Sequence, residues 1–67
     1  MKKKITTPER IKAFRKLKGI SQSELSEKSG LSALTIIRLE SGRNSPTIST
    51  LEKVAKVFGI TVKELIS

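Results

Sequence analysis

Between Ser21 and Gly42 the chain reads SQSELSEKSGLSALTIIRLESG, a stretch that leaves room for little except two short helices joined by a tight turn. Ser21-Gln22-Ser23-Glu24 has the S-x-x-E form of a capping box, in which serine and glutamate each satisfy a backbone amide of the other and fix where a helix begins. Leu25 is the inward residue of that helix, which spans about Gln22 to Ser29 before Gly30 closes it. Leu31 then drops an apolar side chain into the turn, Ser32 caps a further helix over about Ala33 to Ser41, and Gly42 ends it. Ser26 stands where a bulky side chain would push the two helices apart. The rest of the chain has to support this pair or pack against it.

The flanking segments are read by the same signals. Met1 to Thr6 lacks periodicity and is expected to form a flexible basic arm, with residues 7–67 as the folded domain. Thr7 is the expected N-cap of a first helix, about Pro8 to Lys18, with Pro8 at the first helical position and Glu9 favourable at the positive end of the helix dipole. Ile11, Phe14 and Leu17 fall on one stripe of it, and Gly19 can take the left-handed conformation that ends it. After a polar loop over Arg43 to Pro46, Thr47 can cap a fourth helix whose Ile48, Leu51, Val54, Ala55 and Phe58 form a core stripe before Gly59. Thr61-Val62-Lys63-Glu64 is a second capping box and opens a terminal helix carrying Leu65 and Ile66. The expected fold is all-α, a compact five-helix bundle in which helices 2 and 3 form a helix-turn-helix.

Size and composition limit the chemistry. Sixty-seven residues make one small domain that can bury only roughly 60% of the surface its unfolded chain exposes. Cysteine and histidine are absent, which removes disulfides, thiolate metal sites and the commonest general base. Six acids, set mostly at helix starts or on polar faces, form no acid/base pair or nucleophile arrangement, and no glycine-rich phosphate loop is present. No catalysis, no metal, no cofactor and no small-molecule ligand are therefore expected. No apolar run approaches the roughly 20 residues of a membrane span, nor does a secretory apolar segment of about 7 to 15 residues follow the basic start, so a cytoplasmic protein is expected.

The net charge of +8 points to a polyanionic partner, nucleic acid or an anionic membrane face. It is unevenly placed: residues 1–18 hold eight basic side chains against Glu9, about +7, and the remainder is nearly neutral. On charge alone, a solvated basic arm that aids solubility accounts for this equally well.

Helix 3 separates into two faces. With Ala33 at zero and about 100° per residue, Ile36 and Leu39 fall at roughly 300° and 240°, whereas Leu34, Ile37, Arg38 and Ser41 fall between roughly 40° and 140°. Ile36 and Leu39 are then core, and Ala33, Leu34, Ile37, Arg38 and Ser41 form the outward face. A helix of this kind fits a DNA major groove roughly 12 Å wide while the preceding helix lies across the backbone. Glu40, in the last turn, is unfavourably placed against the dipole and calls for a basic partner. Arg15, one turn after Ile11, borders the core stripe of helix 1.

Residues Ser21 to Pro46 resemble the phage-repressor and Cro-like helix-turn-helix family, through the SQ-x-EL-x-EK-x-G-x-S opening, the T-I-x-R-hydrophobic-E-x-G helix and the N-x-P exit. The similarity continues through Thr47-x-x-Thr50-Leu51-x-x-x-Ala55 and Phe58-Gly59-Ile60, covering roughly Ile11 to Leu65. It implies a five-helix domain that binds operator DNA, a repressor-like transcription regulator acting as a two-fold dimer, with helix 5 (Val62, Leu65, Ile66) as the candidate dimer surface. By position, Ala33, Leu34 and Arg38 match base-reading residues, with Ser32 and Ile37 beside them. Gln22, Arg43 and Asn44 match phosphate-contacting residues, and Arg15 and Glu40 match a pair that locks helix 1 to the reading helix.

The departure from the family pattern lies at Ala33, Leu34 and Ile37, where polar residues are usual and this chain presents an apolar patch. Two readings follow. Apolar side chains can contact thymine methyl groups, with Arg38 supplying a bidentate contact to guanine. Alternatively the patch binds protein, making the chain an antitoxin-like or coactivator-like adaptor on the same fold.

Overall fold

Three reciprocal capping boxes set where the chain turns into helix. In each, a hydroxyl and a glutamate three residues on exchange bonds with each other's backbone amides: Thr6 with Glu9, Ser21 with Glu24, and Thr61 with Glu64. The computed structural model describes residues 6–43 and 45–66. It contains α1 (Thr7–Leu17), α2 (Gln22–Ser29), α3 (Ala33–Ser41), α4 (Ile48–Phe58) and α5 (Val62–Ile66), with no strand among the described residues. The five-helix, all-α expectation holds. Lys2, Lys3 and Lys4 of the basic arm, and Asn44, lie outside the described residues.

The first cap corrects the sequence reading. Thr6, not Thr7, is the N-cap of α1, and Pro8 falls one position further into the first turn. The reason is reciprocity: Glu9 stands three residues beyond Thr6 and returns a bond to its amide at 3.0 Å, whereas the residue three beyond Thr7 is Arg10, which has no acceptor to offer.

α1 packs against α3, α4 and α5, α2 packs against α3 and α4, and α4 packs against α5. The core they enclose is Ile11, Leu25, Ile36, Leu39, Leu51, Val54, Ala55, Phe58 and Leu65. Every helix contributes at least one member, so none can leave without opening the centre. Phe14 lies against this core, its ring stacked on Phe58 with centroids 5.7 Å apart. Gly42 marks the contact between the end of α3 and the start of α1: a Cβ there would stand 3.5 Å from the Pro8 ring.

Two expected core residues are outside. Leu17 is 79% exposed because it stands six residues from Ile11, about 120° around the helix, at the last turn. Ile48 opens α4 ahead of the first position that reaches the centre. On α5, Ile66 follows the buried Leu65 by about 100° and is exposed. The expected dimer surface on α5 is revised accordingly: Leu65 is fully buried, Val62 packs on the core, and Ile66 alone of the three is exposed.

Candidate nucleic-acid interface

The turn between α2 and α3 is held by side chains that the backbone cannot replace. The Ser26 hydroxyl donates to the Leu31 carbonyl across the turn. Ser29 Oγ donates to the Ser26 carbonyl and accepts from the Leu31 amide at 3.2 Å. Gly30 between them has φ +77°, a left-handed conformation that costs an L-residue with Cβ about 1 kcal/mol or more. Ser26 thus does more than stay small; its hydroxyl ties the end of α2 to the residue before the α3 cap.

α3 starts at Ser32, whose Oγ accepts from the Thr35 amide at 3.1 Å and lies 2.8 Å from the Thr35 hydroxyl. Ser32 is exposed but already employed as a cap. Beyond it the two faces separate as the periodicity implied. Ile36 and Leu39 are buried, while Ala33, Leu34, Ile37, Arg38 and Ser41 are exposed, with Leu34 54% and Ile37 48% open to solvent. The Ser41 hydroxyl donates back to the Arg38 carbonyl. Among the described residues no hydrogen bond or ion pair engages the Arg38 guanidinium, which leaves all five donors for an external acceptor.

The inner edge of α3 carries the electrostatic fastening. Arg15 meets Glu40 side-on: Nε donates to Oε2 at 2.6 Å and one terminal nitrogen to Oε1 at 3.1 Å, while the other donates to the Ile20 carbonyl at 2.9 Å. The side chains are 12% and 4% exposed. The hydrogen bond to Glu40 raises the Arg15 pKa, desolvation opposes that, and the carboxylate charge adds to it. Arg15 therefore remains a cation throughout the working pH range, and the pair links α1 to α3 as expected.

Gln22 joins the same carboxylate. At the first position of α2, half-buried, it donates from Nε2 to Glu40 Oε1 at 3.1 Å. Neither a free phosphate ligand nor a simple cap describes it. One N–H is committed to Glu40, the second remains, and the amide plane is set by a residue of the reading helix. Sequence inspection missed this link because Gln22 and Glu40 are 18 positions apart, and spacing along one helix says nothing about a contact between two.

Arg43 is exposed just after the Gly42 cap, its amide bonded to the Arg38 carbonyl at 3.2 Å. A concavity of about 280 Å³ is lined by Thr35, Leu39, Ser45, Pro46, Thr47 and Thr50, four of which carry hydroxyls. Thr47 caps α4 from there, accepting from the Thr50 amide. Sequence reading assigned Thr47 only as a cap and named Thr35 and Thr50 within family motifs without giving them a role. Their signal was a run of hydroxyl residues around a loop that follows an exposed helix.

The surface so assembled combines the exposed face of one helix, a flanking helix start and a polar loop, an arrangement that suits insertion of that helix into a groove. Among the described residues no group of acidic side chains is placed to hold a metal ion, and no helix is long and apolar enough to cross a membrane.

Comparison with known proteins gives the same outline. A family model described as helix-turn-helix matches residues 11–65. The immunity repressor protein of Bacillus phage phi105 is 40% identical over 62 residues, covering 92% of this chain and 43% of the repressor. An uncharacterized HTH-type transcriptional regulator of Methanocaldococcus jannaschii is 34% identical, with 84% of this chain and 85% of that protein covered. Among solved structures, SinR, the master regulator for biofilm formation, in complex with DNA, superposes with a TM-score of 0.85 at 39% identity, covering 90% of this chain and 97% of that one. The chain thus spans less than half the length of the phage repressor, most of the Methanocaldococcus regulator and nearly all of the SinR chain in the DNA complex.

Proposed function

The chain belongs to this helix-turn-helix family, and from that premise we propose that it is a cytoplasmic, non-enzymatic transcription regulator that binds operator DNA sequence-specifically, with α3 in the major groove. The observation that carries this reading is the division of α3: Ile36, Leu39 and Glu40 face inward, where α1 and α2 hold the helix, and Ala33, Leu34, Ile37 and Arg38 stand outside. Similarity to a regulator solved in complex with DNA supports it.

The face assigns roles to its members. Arg38 offers a fork of donors to guanine O6 and N7, and Ala33, Leu34 and Ile37 offer methyl groups to thymine C5 methyls, which makes a site rich in thymine around one guanine the expected target. Gln22, through its second N–H, contacts a phosphate from the N-terminus of α2, where the helix dipole also favours an anion. Arg43, and Asn44 beside it, hold the backbone on the far side of the groove, and the basic arm adds salt-dependent affinity. Two copies related by a two-fold axis read half-sites about 34 Å apart.

Selection of bound duplexes from random sequence tests the proposal. A symmetric, thymine-rich motif is the expected product, and no enrichment sinks the reading. Arg38→Ala should relax preference at one base position and cost about 1 to 3 kcal/mol, whereas equal weakening on every sequence would make Arg38 only a phosphate ligand. The exposure of Leu34 and Ile37 also supports a second reading, a protein-interaction adaptor that uses the same face. Salt separates the two: binding through phosphates weakens steeply as salt rises, and an apolar protein contact does not.

A further inference from the structure

A second apolar surface lies on α1, and it is distinct from the face of α3. Arg10, Ala13, Phe14 and Leu17 follow the i, i+3, i+4, i+7 spacing of one helix stripe and line a concavity of about 260 Å³. Phe14 forms its floor with one ring face on Phe58, and Leu17 forms its rim as the most exposed of the large apolar side chains among the described residues. At about 100° per residue these four fall within about 100° of arc, and Arg15 points about 150° away from the middle of that arc. Because Arg15 reaches α3, the stripe is turned away from α3. A partner seated on α1 would leave Leu34, Ile37 and Arg38 open to DNA.

Charge decides which partner fits. Arg10 lies in the stripe, with no carboxylate among the described residues paired to it and its Nε shielded without a hydrogen-bond acceptor. Lys16 and Lys18, both exposed, flank Leu17 on either side, and Lys12 is exposed behind them. The one acid of α1, Glu9, has its carboxylate at the helix start on Thr6. A second copy laid face to face on this stripe would set Arg10, Lys16 and Lys18 against the same cations. Like charges across a contact disfavour that arrangement, and opposite charges steer and fix the alternative.

We propose that the Arg10–Leu17 stripe of α1 is a docking surface for an acidic amphipathic helix of another protein, whose apolar residues cover Leu17, Ala13 and Phe14 and whose carboxylates meet Arg10, Lys16 and Lys18. The surface goes beyond DNA recognition: it lets one domain hold a duplex and a protein at once. The test is a nuclear magnetic resonance titration of the isotope-labelled 67-residue chain with a synthetic helical peptide carrying leucines at i, i+3, i+4 and i+7 and glutamates between them. Saturable shifts confined to Ala13, Leu17 and Lys18 and their neighbours are expected. Leu17→Glu should weaken the peptide at least tenfold, Leu17→Gln less, and both should bind duplex DNA as the parent does, since Leu17 is outside the core. Shifts centred on Leu34 and Ile37, no saturation at millimolar peptide, or equal binding of a lysine-for-glutamate peptide would overturn the proposal. Concentration-dependent shifts at Ala13 and Leu17 in the peptide-free chain would overturn it too, since a second copy would then be the occupant.

Discussion

Replacing Arg15 with alanine removes three hydrogen bonds in one step, two to Glu40 and one to the Ile20 carbonyl. What remains is a carboxylate 4% exposed that keeps only the 3.1 Å bond from Gln22. Stranding a deeply buried charge costs about 3 to 5 kcal/mol, while breaking a fully solvated pair costs about 0 to 1. Arg15 lies near the edge of a small domain, where water can enter the vacated space, so about 2 to 3 kcal/mol is the expected loss. For a domain whose whole stability is about 3 to 10 kcal/mol, at about 0.05 to 0.15 per residue, that is a large fraction. At about 4 to 8 °C per kcal/mol it lowers Tm by about 8 to 24 °C. Thermal and urea unfolding followed by circular dichroism reads the effect. Arg15→Met combined with Glu40→Leu should recover most of it, because neither charge is then left alone. A raised arginine pKa stabilises fully below the unfolded value and is lost only as pH climbs past the folded one. The Tm difference should therefore stay constant from neutral into mildly alkaline solution. A loss under about 0.5 kcal/mol for Arg15→Ala would show that the contact is a solvated surface pair and that α3 is not held in the way described.

Other expectations follow from separate features. Replacing thymine by deoxyuridine in a selected site removes one methyl group, and at each thymine under Leu34 or Ile37 it should weaken binding by about 0.8 kcal/mol; Leu34→Ala should erase that difference at its own position. Gly30→Ala should destabilise the fold by about 1 to 2 kcal/mol, all of it from the positive φ, since an added Cβ meets nothing within 4 Å; a much larger loss would mean a clash in the turn. Thr6→Ala should cost about 1 kcal/mol in thermal unfolding and Thr7→Ala far less, the reverse of what a Thr7 cap requires.

The sequence carried the helices because their ends are written in local chemistry. The boundaries of α2 and α3 follow from Ser21, Glu24, Gly30, Ser32 and Gly42, all acting within a few residues of themselves. The inside and outside of α3 were legible for the same reason, since periodicity along one helix is a local property. Leu17 and Ile48 were misplaced because a helix stripe tells which residues share a side and not how far the neighbouring helices reach to cover it. The tie between Gln22 and Glu40 depends on where elements 18 residues apart come to rest. That Glu40 calls for a basic partner was legible from the helix dipole, and that the partner is Arg15 was anticipated through family resemblance.

Glu40 sits on the reading helix, yet its carboxylate faces α1 and α2, and Ile36 and Leu39 face the core. Apart from Ser32, which caps α3 and stands beside the base-reading positions, the residues that hold α3 and the residues that would touch bases are therefore separate sets on one short segment. Ala33, Leu34, Ile37, Arg38 and Ser41 can be exchanged freely while the mounting stays intact. A lineage built on this frame can change its target by substitution at five positions without passing through an unfolded intermediate, and a library randomised there should keep a nearly uniform Tm while its preferred sequences diverge.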